Sequence, residues 1–139
     1  MRATRALVVG LMLAACTGGA SDRSTLDLGR SYTQWMFAGE FDKLWARFTP
    51  EMQRTFATRA DLEQFVGRTA QELGHEKGRA SERSSTAAGT RVYSRTASFD
   101  RAPRPVEIQW SLAPDGRVTG MFVRPVPADS ARADSAGPQ

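Results

Sequence analysis

Few side chains in this chain could do chemistry: one cysteine, Cys16, one histidine, His75, and 15 carboxylates spread over 139 residues. A thiolate is a nucleophile, and an imidazole titrates close enough to neutrality to move protons. Neither Cys16 nor His75 has a second reactive residue at triad or metal-ligand spacing. His75 follows Gly74 directly and precedes Glu76 and Lys77, a composition that predicts a solvated loop or a helix end. Glu107 alternates with Val106, Ile108, Trp110 and Leu112, so it should point away from the covered face into water. Asp100 lies near Arg101 and Arg104, which predicts an exposed ion pair worth less than about 1 kcal/mol. Ser84-Ser85 has no base beside it, and the chain has no Gly-x-Ser-x-Gly elbow, no phosphate loop and no His/Cys cluster. No catalytic residue, metal or cofactor is expected.

Cys16 has a different chemistry open to it. Arg2 and Arg5 precede an apolar run from Ala6 to Ala15, which ends in Leu13-Ala14-Ala15-Cys16. A basic start, a short apolar stretch and small residues at its end have the layout of a secretory signal, and a membrane-spanning helix would need about 20 residues. The motif resembles the lipobox of bacterial lipoproteins. That resemblance implies diacylglycerol on the Cys16 sulfur, cleavage before Cys16 and a protein tethered to the outside of a membrane. Thr17 is not the aspartate that usually signals inner-membrane retention in such proteins, which points to the outer membrane, periplasmic side. The competing reading is an ordinary signal cut after Gly18-Gly19-Ala20, releasing a soluble product. Two acyl chains suffice for stable anchoring. Charge adds little, because loss of Arg2 and Arg5 leaves 17 basic residues against 15 acidic ones. The remaining arginines form no stripe, as nucleic-acid binding would require, and read as codon bias of a GC-rich genome.

Periodicity and caps divide the rest. Residues 1–15 read as signal peptide, 16–23 as a lipidated tether, 24–126 as one domain and 127–139 as a disordered tail rich in Pro, Ala, Ser and Gly. Within the domain, Ser24 and Asp27 suggest a capping box for a helix with Leu28, Tyr32, Trp35 and Met36 on one face and a stop at Gly39. Phe41, Leu44, Trp45 and Phe48 repeat that spacing over a short second helix. Thr49-Pro50 starts a third, carrying Met52 and Phe56, and Thr58 with Asp61 starts a fourth that ends at Gly74. After that the period changes. A polar edge strand over 79–86 and a strand over 91–99 lead to a strictly alternating strand at 106–112. Pro114-Asp115-Gly116 turns it back into a strand over 117–124. Helices followed by an antiparallel meander predict an α+β fold with helices on one face of the sheet.

The run Ala38-Gly39-Glu40-Phe41-Asp42-Lys43-Leu44 with Phe48-Thr49-Pro50-Glu51-Met52 resembles the opening of the nuclear-transport-factor-2-like superfamily. Tyr93-Ser94-Arg95, Val106-Glu107-Ile108 and Asp115 to Phe122 are similar to its last strands. The nearest likeness is to an uncharacterised bacterial domain family, often placed ahead of serine-hydrolase or α/β-hydrolase domains. The resemblance spans residues 24–126 and implies a cone: a bent antiparallel sheet around a long helix, open at its wide end. Such cones serve both enzymes and binding domains, so the fold does not choose between them. The expectation is a cell-envelope lipoprotein with a non-catalytic domain that binds a partner protein or a small apolar ligand. The alternative is a small isomerase, dehydratase or hydrolase acting on a lipophilic substrate. Tyr32, Trp35, Trp45, Phe65, Tyr93, Trp110 and Phe122 are the expected pocket-lining residues, although aromatics at this spacing also build plain cores. A homodimer through the open sheet face is a further alternative.

Overall fold

The computed structural model describes residues 18–128; Cys16, the signal segment and the tail beyond 128 lie outside them. Four helices, α1 (Gly18–Ala38), α2 (Phe41–Ala46), α3 (Pro50–Phe56) and α4 (Arg59–Leu73), precede four strands, β1 (Glu76–Ala87), β2 (Thr90–Phe99), β3 (Val106–Leu112) and β4 (Val118–Pro125). The strands form an antiparallel meander in the order β1-β2-β3-β4. The sheet curls into a half-barrel around α1, an α+β, cone-like fold. Among the described residues no helix is long and apolar enough to cross a membrane.

The helix caps behave as their residue types dictate. Thr58 and Asp61 form a reciprocal capping box, each side chain accepting the other's backbone N–H. Thr49 caps α3 with Pro50 in its first turn. Two boundaries differ from expectation. Helix α1 is already formed at Gly18, the first described residue, so Ser24 does not open it and residues 18–23 of the expected tether are helical. Thr25 is buried and its hydroxyl donates to the Ser21 carbonyl at 2.9 Å, which ties the extra turn to the packed part of the helix. Helix α2 stops at Ala46, short of Phe48, because the chain at Arg47–Thr49 turns to pair with β4. Val118 N donates to Arg47 O at 2.8 Å and Thr49 N to Val118 O at 2.9 Å.

Strand β1 starts at Glu76, earlier than the sequence suggests, with a bulge between Lys77 and Ser81. It joins β2 through Ala88-Gly89, both at positive φ, a two-residue turn whose twist matches the flanking strands.

The main core lies between α1 and the concave face. Tyr32 and Met36 meet Tyr93, Ile108, Trp110, Leu112 and Val118, with Leu44, Phe48, Met52, Leu62 and Val66 closing the other side. Ala97, Phe99 and Val106 form a smaller cluster toward the opposite end of the sheet. The C-terminal third of α1 therefore runs from one end of the sheet to the other. Tyr32 reaches the β3–β4 turn, donating to Gly116 O at 2.6 Å. Phe37 meets Phe99 at the start of the β2–β3 loop, with ring centroids 6.4 Å apart.

The closest approach of α1 to the sheet is at Gly29, where a Cβ would overlap the Tyr93 ring. Gly29→Ala should cost about 2–3 kcal/mol by overpacking, lowering Tm by roughly 10 °C or more in a domain of this size. Gly67, in α4, has nothing within 4 Å of an added Cβ. Gly67→Ala should therefore gain about 0.5–1 kcal/mol from helix propensity alone. Thermal unfolding of the two variants checks both signs.

Candidate functional site

The seven aromatic residues expected to line one pocket do not share one. Tyr32, Tyr93 and Trp110 are fully buried in the core. Tyr32 packs edge-on against Trp110 and tilted against Trp35, at 5.8 and 5.6 Å between centroids. Trp35, Trp45 and Phe65 are half-buried against the same core. Phe122 pairs with Gln109 on the convex face and is 55% exposed. The polar tips are already engaged: Tyr32 Oη also accepts from Arg47 Nε at 3.1 Å, and Trp110 Nε1 donates to Thr33 Oγ1 at 2.9 Å. The centre of the cone is filled.

Two of the clefts among the described residues lie against the inner face of the sheet. The apolar one, of about 380 Å³, lies over the smaller core cluster. Phe65, Thr69 and Leu73 of α4 form one wall, and Val106 of β3 with Val123 and Pro125 of β4 form the other. Ala102 and Pro103 of the β2–β3 loop close the end, and Arg101, Arg104, Arg124 and Glu72 stand around the rim. The loop is held in place by backbone bonds, Arg101 N to Leu73 O at 3.1 Å and Val126 N to Pro105 O at 2.8 Å. Its volume is at the small end of the range for ligand pockets, about 300–1,000 Å³. Of the predicted lining residues only Phe65 belongs to it. The available signal was the arginine- and proline-rich loop Arg101-Ala102-Pro103-Arg104-Pro105 between two strands.

No protein family, curated protein or solved structure matches the chain. The chemistry of the site therefore rests on its geometry.

The second cleft, about 300 Å³ between α1 and β1–β2, is ionic. Glu82 accepts from Arg30 Nε at 2.9 Å and from Tyr93 Oη at 2.6 Å. Arg95 grips Glu76 with two bonds of 2.6 Å. Burial, then the bond to Glu82, pushes the Tyr93 phenol well above its ordinary value. Partial burial also pushes the Glu82 carboxyl up, but the bonds from Arg30 and Tyr93 and the Arg30 charge outweigh it and hold the group below its usual range. A carboxylate so fully engaged is a poor base.

The remaining candidates resolve similarly. Glu107 does point to the convex face, but it is not solvated. Its side chain is 9% exposed, clamped between Arg83 at 3.2 Å and Arg124 at 2.9 Å. Alternation gives the direction of a side chain and cannot foresee two long arginine stems folding over it. Asp100 does not pair with Arg101 or Arg104 as expected. It accepts the His75 backbone N–H at 2.9 Å, and that bond holds its carboxyl below the usual range. His75 itself is 93% exposed. Among the described residues every buried polar side-chain atom has a partner, and no three His, Cys, Asp or Glu side chains gather to hold a metal ion.

The Glu82 linkage has a definite sign. A carboxyl whose folded pKa lies below its unfolded value, about 4.3, contributes stability above that value and loses it as pH falls through the folded pKa. Glu82→Gln should cost about 1 kcal/mol at pH 7. Unfolding midpoints of the variant and the parent should then converge below about pH 4, as denaturation at several pH values would record.

Proposed function

We propose that this protein is a lipid-anchored component of the bacterial cell envelope whose domain is a non-catalytic binding module, taking a small apolar ligand in the cleft between α4 and the β2–β3 loop. The observation that carries the reading is the cleft itself, with apolar walls from three elements and charged groups confined to its rim. The acid–base residues lend no support to an enzyme. Glu82 and Glu107 are engaged by arginines, Tyr93 by Glu82, and His75 stands in solvent away from any cavity.

The anchor reading fits the polarity of α1. Gly18 follows Cys16 by two residues, and the helix runs from the β3–β4 turn toward the β2–β3 loop. A lipid on Cys16 would thus hold the hairpin end toward the bilayer and present the cleft at the far end. A partner-binding reading draws on one other observation, Phe122 exposed on edge strand β4.

The test is native mass spectrometry of the full-length protein, gently extracted from its own host's envelope. The expected spectrum has a lipid mass on Cys16 and a discrete small-molecule mass bound to the fold. Ala102→Phe, which fills the cleft from its loop, should lose the small-molecule mass with little change in Tm. An unlipidated mature mass would overturn the anchor. A protein free of small molecules, or associated with another polypeptide, would overturn the ligand reading in favour of the partner.

A further inference from the structure

Resting on that reading, we infer that the ligand is an anionic amphiphile: an apolar body lying along the cleft, with one carboxylate or phosphate group at the mouth. The floor and walls are apolar, so the body of the ligand must be apolar as well. The mouth is not neutral. Arg101 and Arg104 flank Ala102-Pro103 in the β2–β3 loop, on the same rim. Neither makes an ion pair among the described residues, and the one side-chain bond between them runs from Arg101 Nη1 to Gln71 O at 2.9 Å. Arg124, the third rim arginine, is already matched by Glu107. Glu72 is the sole carboxylate lining the cleft, so the rim carries two positive charges without an ion pair against one negative.

Guanidinium groups present several N–H donors in a planar fork suited to carboxylate or phosphate oxygens. A neutral alcohol of the same length would fill the walls equally well but leave the arginines to water. A cationic amphiphile would meet like charge. The rim therefore selects for charge, and the walls select for length and shape.

The experiment titrates the intact protein, stripped of bound lipid, with three probes of one chain length: decanoate, decanol and decyltrimethylammonium. Each is kept below its micelle concentration and followed by calorimetry. Decanoate should bind at least ~10-fold more tightly than decanol, equivalent to about 1.4 kcal/mol, with the cation weakest. The margin should shrink as salt is raised. Arg104→Glu, at a side chain with no hydrogen bond among the described residues, should bring decanoate down to the level of decanol and leave decanol itself unchanged. Glu72→Gln should move decanoate the other way. Equal binding of all three probes would overturn the anionic preference while leaving an apolar site intact. Failure of all three to bind would instead overturn the ligand-binding reading beneath it.

Discussion

Gly29 lying flat against the Tyr93 ring sets how close α1 can come to the sheet, and the rest of the domain is arranged around that distance. Within one turn of it, Arg30 reaches Glu82 on β1, Tyr32 the β3–β4 turn and Thr33 the indole of Trp110 on β3. Four neighbouring residues of one helix therefore tie down three strands and a turn. Any larger side chain at position 29 would lengthen all of these bonds together. The hydroxyl of Tyr93 extends the constraint outward, because it holds the same Glu82 that Arg30 holds. Packing and electrostatics at this crossing are thus one coupled unit, in which a loss at one member is felt by the others.

That coupling also explains β1. The strand has almost no apolar residue, and by composition alone it would be a weak edge. It stands because its inward side chains are anchored from elsewhere: Glu82 by a helix residue and a β2 tyrosine, Glu76 by Arg95 of β2. An apolar core on one side and a chain of ion pairs on the other let the sheet curl around α1 without a hydrophobic fourth strand. Lys77, Arg83 and the bulge before Ser81 then leave its outer edge polar and irregular, features that discourage pairing with another chain.

What the sequence reveals follows the range of the interactions. Local ones are plain: the Thr58–Asp61 box, Thr49-Pro50, the alternation of Val106 to Leu112 and the Pro114-Asp115-Gly116 turn all read correctly, because cap, period and turn chemistry act within a few residues. The α+β class follows from their order. The end of α2 is hidden, because Phe48 leaves the helix for a partner, Val118, far along the chain. Glu107 is hidden because its burial is supplied by arginines on two other strands. The seven aromatics show the limit most clearly. Spacing places Tyr32, Tyr93 and Trp110 on inward faces, and inward is where they are, yet an inward side chain fills a core or lines a cavity according to what meets it from the far side. The apolar cleft is assembled from α4, one loop and the ends of two strands, none of which signals a site alone.

The polarity of α1 links the two proposed ends of the molecule. At 1.5 Å per residue, its 21 residues span about 30 Å. On the anchored reading, only Thr17 separates Cys16 from the first described residue of α1, so the N-terminal end of the helix would lie near the membrane. The cleft at the other end would then open to the aqueous phase, out of reach of the bilayer's own acyl chains. A site in that place cannot fill by lateral diffusion of membrane lipid. On that reading its ligand would come from solution. A charged rim would suit such a supply. An amphiphile dilute in water arrives with its anionic group hydrated, and paired arginines at the mouth can replace that hydration while the walls take up the chain.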